Sequence, residues 1–139
     1  MSRVNLKALE AYQGIGLNAV VEEAKPVEIV RLLFDGFLAK VAAAEAHIRA
    51  GNMGGKAQAI GKALDILNGL RVSLDMDEGK DLSERLDSLY EYVSLRLFEA
   101  NVASDLEQLG ECRRLITEIR TGWVVAHKLQ APQLEGAVN

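Results

Sequence analysis

Apolar residues return every third or fourth position over most of the chain, the spacing of a helix with one buried face. In the first such stretch Val30, Leu33, Phe34, Phe37, Val41, Ala44 and Ile48 fall on one stripe. Pro26 suits its first turn, where a missing N–H costs nothing. Gly51 and Asn52 end it, and Met53, Gly54 and Gly55 read as a loose connection. A second helix is expected from Lys56 to Leu74, on Ile60, Leu64, Leu67 and Leu74, widened by Ile66 and Leu70. Gly61 and Gly69 weaken it by about 1 kcal/mol each relative to alanine, and they leave room for a neighbouring helix. Residues 75–80 read as a turn. A third helix starts near Asp81, with Asp81 and Glu84 at capping-box spacing. It carries Leu82, Leu86, Leu89, Tyr90, Val93, Leu97 and Ala100. A fourth starts at Ser104, paired in the same way with Glu107, and runs through Leu109, Cys112, Ile116, Ile119 and Trp123.

Four helices joined by short loops pack most simply as an antiparallel up-down four-helix bundle, an all-α fold. The division expected is an N-terminal docking arm over residues 1–24, the bundle over 25–128 and a flexible tail over 129–139. In the arm, Leu6, Leu9, Tyr12 and Gln13 share one side of a short helix, which Gly14 and Gly16 interrupt.

The pattern holds more apolar residues than one bundle interior needs. The third helix has a second line at Leu95, Phe98 and Val102, and the first adds Ile29 and Leu32. Two readings stand: a wide or obliquely packed core, or a groove that takes a partner helix.

Composition narrows the chemistry. Aromatics are 5% of residues, so aliphatic side chains fill the core. The formal charge of −4 offers no electrostatic attraction to nucleic acid or anionic lipid. No run approaches the ~20 apolar residues that span a bilayer, and the first residues lack a secretory apolar segment. A single cysteine, Cys112, forms no disulfide within the chain and lies on an apolar stripe. These features place the chain in the cytoplasm, with neither nucleic acid nor membrane insertion among its interactions.

Catalytic and cofactor signals are sparse. The two histidines, His47 and His127, do not form the paired Glu-x-x-His motifs of a di-iron bundle. The glycines at 51, 54 and 55 match no phosphate-binding loop. Neither an enzymatic site nor a cofactor or metal is expected. One alternative is a four-helix phosphotransfer domain, whose His-x-x-Lys-Gly pattern differs from His47-Ile48-Arg49-Ala50-Gly51; another is a helical interaction module of some other kind.

An ordered set of motifs resembles the flagellar secretion chaperone family FliS. It comprises Tyr12-Gln13, then Pro26 to Phe34-Asp35-Gly36, Ala63 to Leu67 with Leu70 and Leu74-Asp75, Leu86 with Leu89-Tyr90 and Tyr92, Arg96-Leu97 with Ala100-Asn101 and Asp105, and Leu115 to Trp123. Together they span roughly residues 10 to 125. The resemblance implies a cytoplasmic bundle that binds the disordered C-terminal segment of flagellin as helices. It implies that binding blocks premature polymerisation and keeps the subunit competent for type III export, with the flagellar export gate as a second partner. On that reading Tyr12 and Gln13 gate the groove. Leu70, Leu74, Leu95, Phe98 and Val102 line it, and Arg96 and Asn101 supply polar anchors, against the alternatives of core packing and internal ion pairing. Asp35 pairs with a basic residue of the chain, and Trp123 belongs to the core. Three positions depart from the family pattern: Lys25 replaces a serine before the first proline, Phe34 replaces a tyrosine, and Gly79-Lys80 replaces a Gly-Gly pair.

Overall fold

A computed structural model describes residues 25–74 and 79–129. Four helices account for nearly all of them: α1 Pro26–Arg49, α2 Met53–Val72, α3 Lys80–Ala103 and α4 Leu106–Ala126. The arm (with Tyr12 and Gln13), the first four residues of the α2–α3 turn and the tail from 130 onward lie outside the described residues.

The helices form a closed ring in which α1 packs on α2 and α4, and α3 packs on the same two. Side-chain links fix the directions. Lys56, near the start of α2, reaches the last turn of α3, and Arg71, near the end of α2, reaches Asp87 near the start of α3. Asp35 and Glu45 of α1 meet Arg120 and Arg113 of α4 in reversed order. The bundle is therefore antiparallel, up-down-up-down.

Its interior is mainly aliphatic around three aromatic rings, in keeping with the scarcity of aromatics. Leu33, Phe34 and Phe37 of α1 face Ile60, Ile66, Leu67 and Leu70 of α2, with Tyr90, Val93 and Leu97 of α3 and Leu109, Cys112 and Ile116 of α4 completing it. Ile29, read from the sequence as surplus to the bundle stripe, is only 3% exposed and belongs to this core. Of the two readings of the apolar excess, α1 thus follows the wide core.

The helix ends explain several boundaries. α1 stops in a Schellman turn: Gly51 takes φ 73°, its N–H donates to the Ile48 carbonyl, and the Asn52 N–H donates to that of His47. α2 begins three residues earlier than its apolar stripe suggests. Met53, Gly54 and Gly55 are helical, because the Asn52 side chain accepts the Gly55 N–H at 2.9 Å and acts as the N-cap. Gly55 is closely approached: a Cβ there would lie 2.5 Å from Nδ1 of His47, so the half-buried His47 ring would have to shift to admit a side chain. Gly61, by contrast, is exposed with no atom within 4 Å of where a Cβ would stand, so it makes room for no neighbouring helix among the described residues.

Both capping boxes expected from spacing are replaced. α3 starts from Gly79 in the left-handed region at φ 62°, with no side-chain cap, so Asp81 is an ordinary first-turn acid. α4 is capped by Asp105, whose Oδ1 accepts the N–H groups of Glu107 and Gln108. Ser104, expected as that cap, instead ends α3 at φ 52°. At α1 the missing hydroxyl has its expected effect: Lys25 occupies the N-cap without a side-chain bond.

Candidate functional site

On α3 the stripe formed by Tyr90, Val93, Leu97 and Ala100 is buried in the interior. The second line of the same helix points away from it. Leu95 is 58% exposed, Phe98 57% and Val102 89%, at spacings of three and four residues that put them on one outer face. Large apolar side chains left singly in water are ordinary, but three in register on one helix make a patch.

The framework beneath this patch is held on both flanks. Towards α4, Arg96 donates through Nε to Glu111 Oε1 at 2.7 Å, Tyr92 donates its hydroxyl to Glu111 Oε2 at 2.9 Å, and the Arg96 guanidinium sits 6.0 Å from the Tyr92 ring centre. The Arg96 bond, followed by that of Tyr92, holds the Glu111 carboxyl below its ordinary pKa, and the same carboxylate raises that of Tyr92. Towards α2, Arg71 makes a two-pronged pair with Asp87. At the other end the buried Lys56 donates through Nζ to the Asn101 carbonyl at 2.7 Å and to Ser104 Oγ at 2.8 Å. These bonds place a positive charge at the C-terminal end of α3, where the helix dipole favours it.

The sequence-derived candidates therefore separate. Leu95, Phe98 and Val102 come together on the exposed face. Leu70 is 1% exposed inside the core, and Leu74 is half-buried against it. Arg96 is committed to Glu111 and, at 3.4 Å, to Glu99. Asn101 contributes its carbonyl to Lys56. Tyr12 and Gln13 fall outside the described residues. Leu82, assigned to the interior stripe of α3, is 62% exposed instead. The first turns of α3 supply only Ser83 to the interior, and Leu86 and Leu89 are half-buried.

The lysine latch was not legible from the sequence. Lys56 reads as an ordinary helix-start residue, and only the left-handed end of α3 brings two acceptors to its ammonium. Asp35 does pair internally, with Arg120 Nε at 2.5 Å. Trp123 is half-buried, lies edge-on to Phe34 at 6.4 Å and donates its indole N–H to the Val27 carbonyl at 3.0 Å. Phe34 is 1% exposed, so a tyrosine hydroxyl there would need its own buried partner.

Other chemistry is thinly supplied. Burial pushes the Cys112 thiol up to about 12, which leaves little thiolate at neutral pH. Among the described residues no group of three His, Cys, Asp or Glu side chains could hold a metal ion, and no helix is long and apolar enough to cross a membrane.

A model of the family described as flagellar protein FliS matches residues 8–130. The chain is 38% identical over 118 residues to flagellar secretion chaperone FliSB of Pseudomonas aeruginosa, covering 85% of this chain and 94% of the relative. It is 36% identical over 118 residues to flagellar secretion chaperone FliS of Escherichia coli, covering 84% and 87%. With the Bacillus subtilis chaperone of the same name it shares 28% identity over 127 residues, 91% of each chain.

Proposed function

The chain belongs to the FliS family, and on that premise we propose that it is a flagellar secretion chaperone of the cytoplasm whose client is the C-terminal segment of flagellin. The observation that carries this reading is the exposed row of Leu95, Phe98 and Val102 on a bundle whose interior is complete without it. An unpolymerised filament subunit carries an amphipathic terminus that associates with its own kind. A chaperone that folds this terminus as a helix against an apolar row hides the adhesive face, and contact area offsets the ordering entropy. Holding the terminus this way prevents premature polymerisation and keeps the subunit in a form fit for type III export. The export gate is the second partner this role calls for.

Leu95, Phe98 and Val102 form the client surface. Tyr12 and Gln13, on the arm, cover it in the absence of client. Leu74 borders the core and completes the groove at the far end of α2. Arg96 and Asn101 act mainly by fixing α3, through Glu111 and Lys56 respectively.

Calorimetric titration of the full chain with a peptide of about 40 residues from the C-terminus of the cognate flagellin tests the proposal, with tight binding and a negative heat-capacity change expected. Phe98→Asp removes binding and leaves the helical circular dichroism and the unfolding midpoint near those of the parent, since this ring is outside the core. A folded parent protein that takes up no peptide at micromolar concentration overturns the reading.

A further inference from the structure

Where α3 gives way to α4, the side chains of Phe98, Glu99, Val102, Ala103, Asp105 and Gln108 surround a shallow hollow of about 410 Å³. Phe98 and Val102 are two of the three exposed apolar residues of the client row, so the hollow lies at one end of that row. Beside the amide N–H groups of Gln108, the polar side chains of its lining supply acceptors. Oε1 of Gln108 is shielded from solvent and has no hydrogen-bond partner. Asp105 and Glu99 add carboxylates. Asp105 Oδ1 takes two amides of the first turn of α4, and Glu99 reaches Arg96 only at 3.4 Å. None of the six lining residues is basic.

A shielded carbonyl oxygen without a donor is a group that binding can satisfy. Its complement must bring an N–H or O–H donor, an apolar side chain for Phe98 and Val102, and partial positive charge for the carboxylates. The first turn of an α-helix supplies all three: its leading N–H groups have no intrahelical partner, and the aligned peptide dipoles make that end positive. The last turn of a helix, or a free chain carboxylate, would set acceptor against acceptor.

We propose that this hollow receives the N-terminal turn of a client helix, with an apolar side chain of that helix set between Phe98 and Val102 and one of its free main-chain N–H groups donating to Gln108 Oε1. The inference rests on the chaperone reading above and deepens it, since it fixes the polarity of the bound helix and makes Gln108 a specificity-determining residue. Gln108 stays silent as a sequence motif. It shows itself only through an oxygen that the fold buries and leaves empty.

The test uses the full chain, labelled with ¹³C and ¹⁵N, and the same flagellin peptide. On binding, the Gln108 side-chain carbonyl resonance moves downfield, as for an oxygen that gains a donor. Nitroxide labels placed in successive turns of the peptide broaden the Gln108 side chain most strongly from the N-terminal turn of a bound helix. Gln108→Met keeps the length and removes the acceptor. It leaves the free chain at least as stable and weakens binding by about 3- to 10-fold, the worth of one hydrogen bond. If the peptide binds and Phe98→Asp abolishes binding, yet the Gln108 carbonyl stays still or the strongest broadening comes from a C-terminal turn, the hollow is misassigned and the chaperone reading stands. A Gln108→Met chain that binds the peptide as tightly as the parent has the same consequence. If the parent takes up no peptide, the chaperone reading fails and the inference falls with it. The two spectroscopic readings on the parent hold whether or not Gln108→Met folds.

Discussion

Leu70 and Leu95 are the same side chain at opposite ends of the exposure range, 1% against 58%. Truncating a buried leucine removes transfer free energy and leaves a cavity. Leu70→Ala is therefore expected to cost about 2–5 kcal/mol of unfolding free energy, read from urea denaturation. Leu95→Ser is expected to stay within about 0.5 kcal/mol of the parent while weakening client binding. A large loss of stability for Leu95→Ser would place that residue in the core. Both leucines sit on apolar stripes of helical period, and the period alone does not separate them. On α3 two stripes compete for one interior, and the stripe with Tyr90, Val93 and Leu97 wins. On α1 no such competition arises, and Ile29 is simply buried. Which of two stripes faces inward is set by the neighbours around the ring, and so it is a property of the packed bundle.

At the scale of helices, the ends show what local chemistry decides. Asp105 satisfies two otherwise unpaired N–H groups of α4, whereas Asp81 satisfies none at α3. Asp105→Ala is expected to destabilise the bundle by about 1 kcal/mol, and Asp81→Ala to change it by less than about 0.5 kcal/mol, both measured by equilibrium unfolding. Equal effects would mean that spacing, and not the observed cap, governs the α3 start. The four helices and their order were legible in the apolar period, and the end of α1 in its Gly51-Asn52 pair. The starts were less so. Ser104-x-x-Glu107 has the spacing of a cap, yet the chain places Ser104 in the left-handed region to close α3 and moves the cap to Asp105. Two adjacent residues serve the two helix ends there, and the ammonium of the buried Lys56 donates to the Ser104 hydroxyl. Single-helix rules do not see a lysine that arrives from a third helix 48 residues away. For the same reason the candidate site was legible in part. The period names Leu95, Phe98 and Val102, whereas the framework of Lys56, Arg71 and Glu111 depends on which helices become neighbours.

For the whole molecule, a closed core under an exposed apolar row separates folding from binding. The interior residues hold the bundle together with or without a client, so client binding should appear as added stability of an already folded protein. Any ligand specific for the folded state raises its stability by RT ln(1 + [L]/Kd), about 2.7 kcal/mol at a hundredfold excess over Kd. With the flagellin peptide at that excess, the thermal midpoint of the parent chain should rise by several degrees and keep rising with peptide concentration. Phe98→Asp should show the parent's midpoint without peptide and no rise with it, because that side chain contributes to the row and not to the core. A client that folded the bundle would behave differently: the free chain would melt without a cooperative transition, and the helical signal would appear only on addition of peptide. The paired charges that brace α3 against both its neighbours, Arg71 with Asp87 and Arg96 with Glu111, argue for the first behaviour. They hold the row's backbone in place before a client arrives, so on the proposed reading the framework of α3 adds little to the ordering entropy of binding.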